Sequence, residues 1–212
     1  MESQPYKVLV WNVRGLNSPA RRSAIYQVVD MVKLAIVCLQ ETKVEHLSMD
    51  IVRHCLGINL ENFFYLPASG TRGGILLAWD EIIVGQSNPH RTMNTITVLV
   101  KPKIGGHWWF TGVHGPQTDM DKVAFMQELV DVRELHAGPW AIMGDFNLLV
   151  NPQDKNNDVI NRRMIARFRN KENQLEVKEM YLKDRKFTWS NERQRPTKEK
   201  FDHVFSTNCW DD

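Results

Sequence analysis

Four short runs in this chain of 212 residues end in side chains that can do chemistry. YKVLVWN ends in Asn12, with Arg14 and Gly15 just beyond, and LAIVCLQE ends in Gln40-Glu41. HWWFTGVHGP closes with His114-Gly115-Pro116, and WAIMGDFN with Asp145 and Asn147. A strand that stays apolar and finishes in an acid or amide carries a polar group to the rim of a sheet. Several such strands side by side gather carboxylates at one rim, where unpaired charge is costly unless a cation binds. Glu, Asp and amide oxygens suit a hard ion such as Mg²⁺, which keeps several waters and takes only one or two protein carboxylates. Asp145 and Asn147 stand two apart on what begins as a strand, so both can point the same way. Taken singly, each of these residues is as well explained as a turn or cap. Their recurrence in four runs is what points to a site.

The elements that must hold those ends are legible in outline. YKVLVW, LAIVCLQ, GGILLAW, TITVLV, HWWFTGV and WAIMGDF read as strands, rich in Val, Ile and aromatics and bounded by Gly, Pro or Asn. Helical stretches lie between them. Ser18-Pro19 supplies a cap and a first-turn proline for ARRSAIYQVVDMV. Asp119 is positioned to cap MDKVAFMQELVDVRELHA, which stops at Gly138-Pro139. INRRMIARFRNKENQL gathers Met164, Ile165, Phe168 and Leu175 on one side. Near the C-terminus, KFTWS and KFDHVFS read as two strands joined by a long basic tip, NERQRPTKE. Strands alternating with helices predict an α/β protein with mixed sheets. With 42% hydrophobic residues and no repeat or low-complexity tract, one globular domain over residues 1–212 is expected.

Composition narrows the setting. No apolar run reaches the length of a membrane span, and the N-terminus lacks the pattern of a secretory signal. Cys38, Cys55 and Cys209 are far apart, as expected of small apolar residues in a reducing compartment rather than of a zinc site or disulfide framework. An intracellular protein is expected. The net charge is +2, yet residues 151–200 alone hold 14 Lys/Arg against 8 Asp/Glu. A basic C-terminal quarter on an otherwise acidic body fits a polyanion-facing side, and equally a solvated helix face.

Six segments, LVWNVRG, IVCLQETK, GVHGP, IMGDFN, FTWS and FDHVFS, occur in the order and spacing of the endonuclease/exonuclease/phosphatase superfamily. RGLNSPARR, RGGILLAW and PQDKNN followed by NRRM make the chain resemble, over nearly all of residues 6–212, the apurinic-endonuclease-like domains of plant LINE-type (non-LTR) retrotransposons. The resemblance implies a four-layer α/β sandwich of two packed mixed sheets flanked by helices, Mg²⁺-dependent hydrolysis of a phosphodiester (Mn²⁺ as substitute), and nicking of double-stranded DNA in the nucleus. It implies Glu41 as main metal ligand with Asn12 beside it, Asp145 to orient or deprotonate the attacking water, and Asn147 to hold the phosphate. Thr188 would contact a phosphate oxygen. Arg14 would contact DNA, and a basic hairpin tip with Arg193, Arg195, Lys198 and Lys200 would reach a groove.

Three departures from the superfamily pattern matter. His114 stands where relatives carry Tyr, and Ala35 where they carry Asp. Relatives also continue past FDHVF to a strand ending in S-D-H, whose His completes the catalytic set with a preceding Asp, here Asp202. Adjacent strand residues face opposite ways, so Asp202-His203 is not expected to serve as that pair. Impaired nicking is the resulting expectation. So is an unpaired sheet edge beside the KFDHVFS strand, covered by the tail TNCWDD or by a second molecule. Two other readings stay open: a retroelement-derived module that binds nucleic acid or protein without cutting, and a phosphatase acting on small phosphate esters.

Overall fold

The computed structural model describes residues 6–70, 73–86, 89–183, 185–191 and 193–208. The chain is organised as two compact units, Met1–His114 and Gly115–Asp212.

In the first unit, β1 (Val8–Asn12), β2 (Ile36–Gln40), β3 (Asn62–Leu66) and β4 (Ile75–Trp79) form a four-stranded sheet in the order β1-β2-β4-β3. β1 and β2 run parallel, and the remaining pairs are antiparallel. The parallel pair is joined by α1 (Pro19–Asp30), since parallel neighbours need a crossover. β5 (Val84–Gln86), β6 (His90–Arg91), β7 (Thr95–Pro102) and β8 (Trp108–His114) pair antiparallel around β7. β2 is buried from end to end, and its alternation assigns each side chain a face. Val37 and Leu39 join Ile25 and Val29 of α1 and Val52, Cys55 and Leu56 of α2 (Met49–Leu56) in one core cluster. On the other face, β2 and β4 pack on β8, and β3 and β4 on β7. Gly112 of β8 makes that approach possible, because a Cβ there would lie 2.5 Å from Cys38 Sγ.

The second unit has β9 (Trp140–Asp145), β10 (Val177–Glu179) and β13 (Asp202–Thr207), with β13 antiparallel to both others. α3 (Asp119–Leu135) packs on α4 (Arg162–Leu175). Phe146 is the hub of the core: its ring centroid lies 6.1 Å from Phe125, 5.8 Å from Phe168 and 5.1 Å from Phe205. A two-stranded hairpin, β11 (Trp189–Ser190) with β12 (Lys198–Glu199), carries the basic segment.

All six expected strands form, and the mixed α/β class holds. α4 buries Met164, Ile165, Phe168 and Leu175, as its spacing requires. Three expectations change. Thr118, not Asp119, caps α3, accepting from Asp121 N at 3.3 Å. The basic hairpin closes on β12 rather than β13, because β13 is taken by β9 and β10. For the same reason β13 is not an open edge, and the argument for self-association through it lapses. β1 and β3 are the terminal strands of the four-stranded sheet. The tail proposed to cover an edge, and Cys209 within it, lie outside the described residues.

Candidate active site

The first unit brings three of the four strand ends together. Asn12 pairs in register with Gln40, so Asn12 and Glu41 leave neighbouring strands at the same end of the sheet. The Gln40 side-chain amide donates to the carbonyl of Val113, tying that end to the residue before His114. Glu41 adopts φ 54°, a left-handed turn that bends the chain off the sheet rim. Its carboxylate meets Lys43 Nζ at 3.0 Å, a pairing that only the fold reveals. Asn12 Oδ1 accepts from the backbone N–H of exposed Arg14 at 3.2 Å.

No cluster of three or more His, Cys, Asp or Glu with metal-binding geometry occurs among the described residues. The donor set at this rim nevertheless fits a hard cation. It offers one carboxylate, an amide oxygen from Asn12, and Gln40 Oε1, a buried acceptor with no hydrogen-bond donor among the described residues. Mg²⁺ requires no more protein ligands than that, since it keeps much of its water shell.

The second unit gathers its own polar strand ends on β9 and β13. Asp202 stands directly across the ladder from Asp145, which is 8% exposed. Asp145 Oδ1 accepts from Asn147 N at 3.0 Å, and Asn147 Nδ2 donates to the carbonyl of Gly115 at 2.7 Å. Asn147 sits at φ 51°, a conformation Asn tolerates better than most residues, so the turn after β9 is tight. Gly115 approaches Phe146 so closely that a Cβ would collide with its carbonyl oxygen. That contact is the physical reason for the glycine in HGP, which the strand-end argument passed over.

Thr188 stands beside the start of β13. Its hydroxyl oxygen accepts from Phe201 N at 3.0 Å and Asp202 N at 3.1 Å, and its O–H donates to the Asp202 carboxylate. Thr188 therefore positions Asp202. Burial, and then the charge of Asp145, push the Asp202 carboxyl above its ordinary pKa despite that bond.

Lys200 departs from its expected role. It is 8% exposed and pairs with Glu179, so it is not part of an open tip. Arg193, Arg195 and Lys198 are exposed on the hairpin. Asn156 pins that hairpin, donating to Pro196 O at 2.8 Å and accepting from Lys198 N at 2.9 Å. A groove of about 570 Å³ runs along it, with Phe187 and Asn157 beside Arg195 and Lys198. His203 faces away from Asp202, as alternation demands, and its ring is hydrogen-bonded in the interior.

A sequence model of the Endonuclease/Exonuclease/phosphatase family matches residues 9–211, and the chain belongs to that family. Members of this family are hydrolases acting on phosphodiester bonds. No curated protein sequence matches the chain. Among solved structures it resembles the endonuclease domain of TRAS1, a telomere-specific non-LTR retrotransposon, at 14% identity and TM-score 0.68, over 97% of this chain and 86% of that one. The AP endonuclease LMAP from Leishmania major matches at 14% identity and TM-score 0.72, over 96% and 79% of the two chains. The 3′ phosphatase NExo from Neisseria, bound to a product DNA hairpin, matches at 13% identity and TM-score 0.72, over 97% and 88%. At such identities the likeness is one of fold.

Proposed function

We propose that this chain is a Mg²⁺-dependent DNA endonuclease that nicks phosphodiesters, of the kind plant LINE-type retrotransposons carry, acting in the nucleus on double-stranded DNA. The observation that carries the reading is the end of the β9–β13 ladder, where Asp145 and Asp202 oppose each other and Asn147 is held in a tight turn. Asp145 orients the attacking water, with Asp202 opposite it positioned by Thr188. Asn147 holds the phosphate, and His114 contributes a ring N–H donor. Glu41 and Asn12 would hold Mg²⁺ or Mn²⁺, which when bound supplies positive charge for the phosphoryl oxygens. Arg14, Arg193, Arg195 and Lys198 meet the DNA backbone, where cations fix position without reading sequence. The AP endonuclease and the retrotransposon endonuclease among the fold neighbours support a DNA substrate.

Nicking of supercoiled plasmid tests this. Relaxed circles are expected with Mg²⁺, lost in EDTA and restored by added metal. Asp145→Ala is expected to reduce the rate by at least about 10²-fold. DNA retention in a filter assay with no nicked product after long incubation would replace the reading with a binding module. The cationic groove beside Phe187 favours that second reading, since binding there needs no catalysis.

A further inference from the structure

His203 lies one residue from the proposed catalytic carboxylate and has no exposed side-chain surface. Its ring stacks on Phe205 at 5.7 Å and meets Phe146 edge-on at 5.8 Å. Nε2 lies 3.0 Å from the carbonyl oxygen of Leu148, and Nδ1 lies 2.6 Å from Glu179 Oε1. A backbone carbonyl can only accept, so Nε2 carries a proton. Glu179 Oε1 also receives the Lys200 ammonium. Burial pushes the Glu179 carboxyl up, but the hydrogen bonds from His203 and Lys200 outweigh it and hold its pKa below the ordinary range. Glu179 is then a carboxylate, and Nδ1 must carry a proton too. A neutral ring would set a lone pair against one of two buried oxygens, with the cost of an unmade hydrogen bond.

The carbonyl that His203 grips belongs to the residue after Asn147. The Asn147 turn is therefore held at three points: Asp145 Oδ1 on its N–H, the Gly115 carbonyl on its side chain, and His203 on the next carbonyl. We propose that His203 is a buried imidazolium acting as a positioning residue: its two N–H groups fasten the Leu148 carbonyl to Glu179 and so hold Asn147 in the left-handed turn that presents its amide. The inference rests on the reading of Asn147 as the phosphate-holding residue. It adds a positioning residue and its charge state to that reading.

The surrounding charges sustain a cation here. Glu179 comes from β10, Lys200 precedes β13, and Asp154 lies in the one-turn helix of Pro152–Asp154, its carboxylate accepting from Val150 N and Asn151 N. Glu172 approaches from α4 with Arg169 near it, and Asp202 lies on the far face of β13. Below about pH 7, where Glu172 is protonated, the cations Lys200 and His203 balance the anions Glu179 and Asp154, and above it the Glu172 carboxylate favours the cation further.

Nitrogen-15 NMR of the histidine rings in the full chain at about pH 8 reads the charge state directly, well above the ordinary imidazole pKa. Two protonated, hydrogen-bonded ring nitrogens are expected for His203, and a neutral tautomer with one bare nitrogen would overturn the proposal. His203→Gln keeps a donor but no charge. It is expected to shift the Asn147 side-chain amide resonances and to lower kcat/KM for nicking about 10–100-fold, the scale of a slightly misplaced contact. Unchanged Asn147 resonances in that variant would also sink it. Should His203→Gln not fold, Glu179→Gln serves instead, with loss of one His203 ring proton and the same Asn147 shift expected. The resonances need no turnover, so a wild-type chain that fails to nick refutes the nuclease reading alone.

Discussion

Asp202 stands directly across the β9–β13 ladder from Asp145, two carboxylates paired in register at the end of neighbouring antiparallel strands. Directly opposed side chains in such a ladder come within about 5 Å at Cβ, where like charges repel. Nothing in the local spelling of FDH reveals that opposition; it follows from strand pairing across more than fifty residues of chain.

The pair predicts a conflict between stability and activity. Because the Asp202 pKa is raised in the folded state, its contribution is fully present below the ordinary aspartate value and is lost as pH rises through the folded value. Asp202→Asn should therefore match the wild type in acid and melt at a higher temperature near neutral pH, while nicking more slowly. A melting series from about pH 3 to pH 8 checks it, and a lower melting temperature at neutrality would contradict it.

Glu172 makes a parallel prediction in a different place. Burial first, and then the charge of Glu179, raise its carboxyl to about 7 from 4.5. Between those two values the unfolded chain releases a proton that the folded chain keeps, so stability falls across that window and levels off above it. Glu172→Gln should flatten the fall without altering stability in acid. Urea titrations on either side of the window measure it.

The sheet contact in the first unit predicts a paired rescue. Gly112→Ala places a Cβ 2.5 Å from Cys38 Sγ, and overpacking of this kind costs about 1–3 kcal/mol. Adding Cys38→Ala removes the collision and should restore part of the loss. A double-mutant cycle by chemical denaturation gives the coupling, and strict additivity would show that the two residues do not meet.

The two kinds of basic residue around the hairpin should separate in a salt titration. Arg195→Ala should weaken DNA binding across all sequences and reduce the slope of log K against log salt by about one. Lys200→Ala should leave that slope alone and instead destabilise the fold by about 3 kcal/mol, because Glu179 loses a buried partner.

Much of the architecture was legible because periodicity and punctuation are local. Six strands, three helices and the free, buried Cys38 and Cys55 follow from apolar runs, Ser18-Pro19, and wide cysteine spacing. α2 and β3 were not read, because MDIVRHCL and NFFYL are short, although Ser48 and Gly57 bound the helix and Pro67 follows the strand. The Asn12–Gln40 neighbourhood could be inferred only as a set of strand ends; the parallel register that joins them is a property of the fold.

Sequence by itself determined which side chains could do chemistry, that strand ends would present them, and that Asp202 and His203 must face apart, because alternation is built into every strand. Tertiary structure decided their partners. It set Asp202 against Asp145, turned the Thr188 hydroxyl toward Asp202, buried Lys200 from the cationic tip, and enclosed His203 between Glu179 and the Leu148 carbonyl. Each of those outcomes depends on which distant strand lies alongside, and a hydrogen bond between residues far apart in the chain leaves no mark on the residues next to it.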